Sequence, residues 1–226
     1  MTPDPTALLD ASGRAALERV LELLAEERAS VSSIVDERAW KVHVADSLTG
    51  LEVAELSAAN RIADVGAGAG FPGLALAVAL PNAQVDLIES VGRKCDFMTR
   101  AATAARIANA KVLNLRSEDW AKGEGRESYD IVTARAVGRL STLAELASPL
   151  LKPNALLIAW KGKRDADEEA QLQRASESLA MTPEQIIDVG PEAGSQHRHL
   201  HLVRKTGPTP SSLPRKPGLA KKRPKG

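Results

Sequence analysis

Three alternating glycines, Gly66, Gly68 and Gly70, follow the short apolar run Arg61–Val65. Glycine adopts positive φ without strain and lets the backbone approach a ligand closely. A helix that begins after such a turn presents unpaired N–H donors to the ligand. Glu89 lies nineteen residues beyond Gly70, where a carboxylate meets ribose hydroxyls in a nucleotide-binding βαβ unit. The glycines and the carboxylate together predict a nucleotide site.

Three interpretations of the glycine turn remain open. Asp64, two residues before the first glycine, makes the segment similar to the S-adenosylmethionine (SAM) site of class I methyltransferases. A dinucleotide fingerprint counted from Gly66 fails, because Phe71 stands where close helix packing requires a small residue. Counted two residues later the fingerprint fits, so an NAD-dependent oxidoreductase is an alternative; its glycines would be Gly68, Gly70 and Gly73. The third interpretation is an ordinary tight turn between a strand and a helix.

Strand-like and helix-like segments alternate from residue 61 onward, which predicts a Rossmann-like, doubly wound, mostly parallel α/β sheet. The predicted strands cover residues 61–65, 84–89, 111–116, 130–133 and 155–160. The predicted helices cover residues 72–80, 94–107, 140–150 and 165–179. Two further strand-like runs, at 184–189 and 199–204, are separated by Gly190, Pro191 and Gly194 and predict an antiparallel hairpin at the sheet edge.

The chain is predicted to have three parts. Apolar residues recur at helical spacing over 12–30 and 34–50, which indicates an N-terminal helical layer spanning residues 1–60. The nucleotide-binding domain spans residues 61–206, and a basic tail spans residues 207–226. At 226 residues, the sequence is long enough for one α/β domain with additions.

Polar and glycine residues follow the predicted strands at one edge of the sheet, where the ligand crevice of an open α/β sheet lies. We therefore expect the functional residues at this rim: Gly66 to Phe71, Glu89, Ser117, Glu118, Arg135 and Lys161. If the ligand is SAM, the glycine turn holds its methionine end and Glu89 its ribose. Ser117 and Glu118 then lie beside the adenine.

Composition limits the protein class. The only cysteine is Cys95, which rules out an intramolecular disulfide and a cysteine-rich metal site. The N-terminal residues lack the pattern of a signal peptide, and no apolar stretch reaches the ~18 residues of a membrane span. We predict a cytoplasmic protein, a monomer without a metal or a membrane partner.

Charge is distributed unevenly along the chain. Residues 207–226 contain six basic residues and no acidic residue, while the rest of the chain holds 24 basic and 29 acidic residues, or −5. This tail, rich in proline and glycine, is predicted to be disordered and to reach a polyanionic partner. We expect removal of the tail to weaken association with this partner and to flatten the salt dependence of that association, while SAM affinity stays almost unchanged.

The residues after the fourth strand, 133–137, limit the acceptor chemistry. Methylation of exocyclic amines commonly uses an Asn/Asp-Pro-Pro-aromatic turn there, which this sequence lacks. Methylation at pyrimidine C5 needs a thiolate at the rim, whereas Cys95 falls within a predicted helix. Guanine N7 carries a lone pair and no proton, so alignment suffices. Arg116, Arg135 and Lys161 are suited to hold the base and its phosphates.

Several segments together resemble the small-subunit rRNA methyltransferase G family over nearly the whole chain. They include His43 to Leu48, Asp64 to Gly73, Ile88 to Ser90, Arg116 to Glu118, Thr133 to Val137, Trp160 to Gly162, Arg198 to Leu200 and Pro214 to Gly218. The resemblance implies SAM-dependent methylation of N7 of one guanosine in the 530 loop of 16S rRNA, free or within the 30S subunit.

The resemblance also implies roles for individual residues. It places cofactor contacts at Gly66, Phe71, Ser117, Glu118 and Arg135. Arg116, Lys161 and Arg198 match positions associated with RNA or activity, and Arg135 joins Arg116 and Lys161 as a candidate catalytic residue. Arg215 and Lys216 are predicted to bind RNA.

The sequence departs from the family pattern before His43, where Val42 stands in place of a basic residue. The upstream Asn-Leu-Thr of the family corresponds at best to residues 30–32 here. His43 itself is predicted to be a buried histidine hydrogen-bonded to Asp46 or Ser47. A non-catalytic RNA-binding or ribosome-assembly factor is the alternative within the same fold.

Overall fold

The computed structural model describes residues 4–27, 31–189 and 197–226 and has a seven-stranded sheet at its centre. Its strands are β1 (Arg61–Val65), β2 (Gln84–Glu89), β3 (Ala110–Asn114), β4 (Tyr129–Arg135), β5 (Leu151–Lys161), β6 (Met181–Val189) and β7 (Arg198–Lys205). They lie in the order β3-β2-β1-β4-β5-β7-β6, with β1 to β5 parallel and β7 antiparallel to both its neighbours. The predicted doubly wound α/β sheet with an antiparallel edge is confirmed.

Helices surround this sheet and precede it. They are α1 (Ala11–Glu26), α2 (Asp46–Leu48), α3 (Ala54–Ser57), α4 (Gly73–Ala79), α5 (Gly92–Ala104), α6 (Ser117–Trp120), α7 (Leu140–Ala147), α8 (Ala166–Leu179) and α9 (Leu219–Lys222). A π-helical turn, Trp40–Ala45, leads directly into α2. Within the described residues, none of the helices is long and apolar enough to cross a membrane.

Alternating side chains of the central strands enter two separate cores. Ile62 packs in a core that also contains Leu17 of α1 and Leu74 of α4. Ala63, the next residue, packs in a core with Leu143 of α7 and Leu172 of α8. The period of two along a strand sends neighbouring residues to opposite faces, so both faces of the sheet are covered.

Strand boundaries differ from those predicted at the edge that matters most. β4 and β5 run further than expected, so Arg135 and Lys161 are the last residues of these strands, whereas both were predicted to follow them. β3 ends earlier, at Asn114, and Arg116 precedes the short helix α6, which was not predicted. The turn predicted at Gly190, Pro191 and Gly194 lies outside the described residues.

The C-terminal tail contradicts the prediction of disorder. Leu213 and Ala220 are buried, and residues 219–222 form α9. Lys205, fully buried at the end of β7, donates to Thr209 at 2.7 Å and to Glu127 at 2.8 Å. The prediction of disorder from composition was wrong, because a few specific contacts order a segment whose proline, glycine and lysine content is typical of disorder.

Candidate cofactor and RNA site

A crevice of about 370 Å³ opens at the carboxyl ends of β1, β2 and β3. Its walls bring together several residues predicted from sequence: Gly66, Glu89, Arg116, Ser117 and Glu118. This volume is within the range of small-molecule sites, and the position beside the β1/β4 switch point is where open α/β sheets bind ligands.

The glycine turn reaches the crevice through Gly66, whereas Gly68 and Gly70 are not among its lining residues. Gly66, Gly68 and Gly70 have φ values of 70°, 60° and 91°, a region that side chains disfavour. A Cβ at Gly66 would lie 2.7 Å from a methyl group of Val137. The turn therefore needs glycine both for its backbone conformation and for the approach of the segment after β4.

Glu89 connects the turn to the end of β2. Its Oε2 accepts a hydrogen bond from the Gly68 amide at 3.1 Å, and its Oε1 accepts from the amides of Ser90 and Val91 at 2.7 and 2.9 Å. An ionised carboxylate has about four acceptor positions. The backbone thus fixes the carboxylate and leaves it an acceptor position for a ligand hydroxyl.

Asp64 is predicted to bind the cofactor, but the structure places its side chain behind the turn. It is 1% exposed and accepts from the Gly73 amide at 2.9 Å and from the Thr133 hydroxyl at 3.1 Å. Burial raises the pKa of Asp64 to about 6. In this structure Asp64 braces the start of α4 and is not among the crevice-lining residues.

Phe71 also lies behind the turn. Its ring is 4% exposed and stacks on the ring of His43, with centroids 5.0 Å apart. Gly70 and Phe71 are both outside the crevice lining, so a ligand would reach them only through the backbone of the turn.

Ser117 and Glu118 begin α6 and form the wall opposite Glu89. The Ser117 hydroxyl donates to Glu118 Oε2 at 3.3 Å, and the Gly218 amide of the tail donates to Glu118 Oε1 at 2.7 Å. Arg116, just before them, is exposed, lines the crevice and makes no ion pair with a described residue.

Arg135 and Arg198 share one carboxylate. Arg135 Nη1 donates to Asp46 Oδ2 at 2.7 Å and to the Val42 carbonyl at 3.0 Å, while Arg198 Nε donates to Asp46 Oδ1 at 2.6 Å. Asp46 is 1% exposed, whereas the two arginine side chains are 12% and 18% exposed. The sequence did not single out Asp46 as a site residue, although it belongs to the His43 to Leu48 segment.

Lys161 has an acidic partner as well. Its Nζ donates to Glu168 Oε1 at 2.7 Å and to the Gly138 carbonyl at 3.0 Å. The same Glu168 oxygen accepts from the Leu140 amide at 2.6 Å. Lys161 thus connects β5 to the segment after β4, and Glu168 was not predicted as part of the site.

His43 is buried as predicted, but with other partners. Its Nε2 lies 2.9 Å from the Ile34 carbonyl, to which it must donate, and 3.2 Å from the Ser32 hydroxyl. Ser47 donates instead to the backbone carbonyl of His43, and Asp46 is occupied by the arginines. Burial is the main cause that lowers the pKa of His43.

The two predicted RNA-binding residues of the tail differ in environment. Arg215 is 19% exposed and pairs with Glu145, which is 3% exposed. Lys216 is exposed and makes no ion pair with a described residue. Arg215 therefore anchors the tail, and Lys216 is the one of the two that is open to a polyanion.

Cys95 cannot serve as a rim nucleophile. It is buried in α5, where its Sγ donates to the Glu89 carbonyl at 3.3 Å. Burial raises the pKa of the thiol, which disfavours the thiolate that attack requires. In the described parts of the chain, no group of three or more His, Cys, Asp or Glu side chains is arranged to hold a metal ion.

The residues of the crevice fit SAM. The cavity is lined by Gly66, whose lack of a side chain allows the close approach of Val137, by a carboxylate fixed for ribose hydroxyls, and by polar groups of α6. Solved structures with a similar fold include a SAM-dependent methyltransferase from Aquifex aeolicus, with a TM-score of 0.55 and 17% identity over 76% of this chain and 94% of that chain. A fibrillarin pre-rRNA processing protein from Methanococcus jannaschii has a TM-score of 0.58 and 15% identity, over 74% of this chain and 76% of that one. The fold is that of class I SAM-dependent methyltransferases.

A family model described as rRNA small subunit methyltransferase G matches residues 17–200. A relative of that name from Bacillus subtilis is 34% identical over 200 residues, which cover 88% of this chain and 84% of that protein. Another, from Desulfitobacterium hafniense, is 36% identical over 202 residues, covering 88% and 82%. The chain belongs to the rRNA small subunit methyltransferase G family, which confirms the resemblance, and SAM is its cofactor.

Proposed function

We propose that this protein transfers the methyl group of SAM to N7 of one guanosine in the 530 loop of 16S rRNA. One observation supports the proposal beyond the family match. At the ends of β4 and β5, where we place the methyl acceptor, the acidic side chains Asp46 and Glu168 are already paired with cations. Asp46 is held by Arg135 and Arg198, and Glu168 by Lys161. The oxygens of these carboxylates already accept hydrogen bonds from the cations, so they are not free to take a proton from a substrate.

Guanine N7 suits a rim of this kind. Its lone pair lies in the ring plane and carries no proton, so the reaction needs alignment of the base with the methyl group and no general base. The ring becomes cationic as the bond forms. Exocyclic amines lose a proton when they are methylated, and pyrimidine C5 needs a nucleophile such as the thiolate that Cys95 does not supply.

The proposal assigns two sets of residues. Bound SAM supplies an electrophilic methyl on a sulfonium. The glycine turn, Glu89, Ser117 and Glu118 hold the cofactor at the crevice. Cationic side chains hold the guanosine and its phosphates, with guanidinium forks suited to bidentate contacts; these are Arg116, Arg135, Lys161 and Arg198.

Arg135 connects the two sets. It ends β4, beside the switch point, and donates to the N-terminal layer through Val42 and Asp46. We propose that it contacts the cofactor or the base directly once RNA is bound. An Arg135→Ala variant is expected to lose both SAM affinity and turnover.

Methyl transfer to 30S subunits tests the proposal. The protein is incubated with tritiated SAM and 30S subunits, or 16S rRNA, from a strain that lacks the modification. Chemical cleavage at N7-methylguanosine followed by primer extension then maps the nucleotide. A single stop in the 530 loop is the expected result. Label at another atom or loop would refute the assignment, and binding without label would favour the non-catalytic factor.

A further inference from the structure

The tail contributes a wall to the cofactor crevice. We call residues 215–223 the C-terminal strap. Gly218, Ala220 and Lys221 of the strap line the same cavity as Gly66 and Glu89. The match to the family model ends at residue 200, before the strap, although Pro214 to Gly218 are among the segments that resemble the family.

Specific contacts hold the strap against the crevice. The Gly218 amide donates to Glu118 at 2.7 Å, and Gly218 has a φ of 78°, which allows the chain to turn there. The Thr142 hydroxyl donates to the Ala220 carbonyl at 3.3 Å, and Ala220 is 2% exposed. The strap thus fixes the orientation of Glu118, a proposed cofactor ligand.

A third contact closes the strap on itself. Arg215 Nε donates to Glu145 Oε1 at 2.5 Å, and Arg215 Nη2 donates to the Arg223 carbonyl at 2.8 Å. Both ends of the strap are therefore attached to one guanidinium that is anchored on α7.

The other side of the strap carries positive charge. Lys216, Lys222 and Arg223 are exposed, and neither lysine pairs with an acidic described residue. Lysines and arginines in such positions neutralise phosphates. One short segment thus lines the cofactor crevice and presents cations to solvent.

We infer that the C-terminal strap is part of the cofactor site and couples SAM binding to rRNA binding. rRNA phosphates on Lys216, Lys222 and Arg223 stabilise the closed position of the strap, in which Gly218 orients Glu118 and Lys221 encloses the cofactor. Coupling between two sites is reciprocal, so each ligand raises the affinity for the other by the same factor. The coupling rests on the proposed function, whereas the wall does not. A tail that forms a wall of the cofactor site contradicts the prediction that removal of the tail leaves SAM affinity unchanged.

Equilibrium dialysis with tritiated S-adenosylhomocysteine, which cannot be turned over, tests the inference. The dissociation constant is measured with and without saturating unmethylated 30S subunits. For the full chain we expect 30S subunits to lower it at least about fivefold, the lower end of usual coupling strengths. A chain ending after Pro217 is expected to bind S-adenosylhomocysteine about tenfold more weakly without 30S subunits, and to show no response to them.

Two single substitutions provide a matched pair that leaves the strap in place. Lys221 lines the crevice, whereas its neighbour Lys222 does not. Lys221→Ala is expected to weaken S-adenosylhomocysteine binding without 30S subunits. Lys222→Ala is expected to leave that binding unchanged and to weaken 30S binding. Thermal unfolding of each variant establishes that it is folded.

The outcomes separate the inference from the proposed function. If the shortened chain and Lys221→Ala both bind S-adenosylhomocysteine like the full chain, the strap is not a wall of the site. If 30S subunits lower the dissociation constant equally for full and shortened chains, the strap does not couple the ligands. If the full chain neither binds nor methylates 30S subunits, the proposed function fails. The measurements without 30S subunits would still show whether the strap is a wall of the cofactor site.

Discussion

The two halves of the sheet's carboxyl edge are built in different ways. On the half formed by β1, β2 and β3, backbone amides fix the functional carboxylates, as Gly68, Ser90 and Val91 do for Glu89. On the half formed by β4, β5 and β7, the functional groups are cations, and side chains from other elements hold them. Asp46 holds two arginines, and Glu168 holds Lys161.

This difference indicates how each half receives its ligand. We call the half formed by β1, β2 and β3 the cofactor half. Its backbone hydrogen bonds lie within a turn and need no rearrangement, so it is preorganised to bind a small molecule. In the half formed by β4, β5 and β7, which we call the acceptor half, the cations already have acidic partners. If these cations bind RNA as proposed, a phosphate must share or displace those partners. Under that proposal we expect specificity at the expense of affinity, because only an RNA that offers several phosphates together would offset the loss of the ion pairs.

Removing the acid that organises the acceptor half should have the largest effect. In an Asp46→Asn variant, Arg135 and Arg198 remain mostly buried without their shared counter-charge. Breaking a buried ion pair on one side costs about 3–5 kcal/mol, and we expect a loss of that size in the free energy of unfolding. Urea denaturation measures it.

The matched control is Asp36→Asn, because Asp36 pairs with Arg38 on the surface, with both side chains about half exposed or more. An exposed pair contributes about 0–1 kcal/mol. Equal losses in the two variants would mean that Asp46 does not organise the acceptor half. SAM affinity of the folded Asp46→Asn protein is expected to fall far less than its methylation of 30S subunits.

The same contrast between the halves explains what the sequence could predict. The glycine turn, Glu89 and Glu118 were predictable because turn chemistry and strand ends are local patterns. Asp46 was not assigned to the site because its partners lie 89 and 152 residues away along the chain. Ion pairs between distant segments leave no periodicity or spacing that a single sequence could reveal.

Position relative to the crevice was also beyond local patterns. The spacing of Asp64 from the first glycine predicts a cofactor ligand, but a one-residue change along a strand reverses the face that a side chain occupies. The structure places Asp64 against Gly73 and Thr133. The tail was misjudged for a related reason, since its contacts with Glu118, Thr142 and Glu145 come from elsewhere in the chain.

Asp64, which is buried behind the glycine turn and accepts a hydrogen bond from the start of α4, should make the stability of the fold depend on pH. Burial raises the pKa of Asp64 from 3.8 to about 6, so between these values the folded protein binds the proton more tightly than the unfolded chain. The stabilisation is complete below pH 3.8 and is lost as the pH rises through about 6. A shift of this size corresponds to about 3 kcal/mol.

Comparison with an Asp64→Asn variant isolates this effect, because asparagine retains an acceptor and does not titrate. The free energy of unfolding of wild type minus that of the variant should fall by about 2 kcal/mol between pH 4 and pH 7, which is most of the full shift. Other titrating groups cancel in this difference. A difference that stays constant with pH would show that Asp64 is not held in a desolvated site.

A substitution of Glu89, on the crevice side of the cofactor half, should weaken cofactor binding more than it weakens the fold. Glu89→Gln removes a charge that strengthens hydrogen bonds to the turn and to the proposed ribose. Hydrogen bonds to charged groups contribute about 1.5–3 kcal/mol, so we expect the SAM dissociation constant to rise roughly 10- to 100-fold in isothermal titration. Glu124→Gln, an exposed change outside the crevice lining, should leave it unchanged. Equal affinities for both variants would remove Glu89 from the site.

The smallest expected effect concerns a single phosphate contact on the acceptor half, and β5 offers its own control. Lys161 ends the strand at the rim and pairs with Glu168, while Lys152 lies near the opposite end and pairs with Asp130. If Lys161 exchanges Glu168 for a phosphate, Lys161→Met should reduce the slope of log affinity for 16S rRNA against log salt by about one. Lys152→Met removes the same charge away from the rim and should leave the slope unchanged. Similar slopes in the two variants would mean that Lys161 keeps Glu168 when RNA binds, and that the exchange of partners occurs only at the arginines.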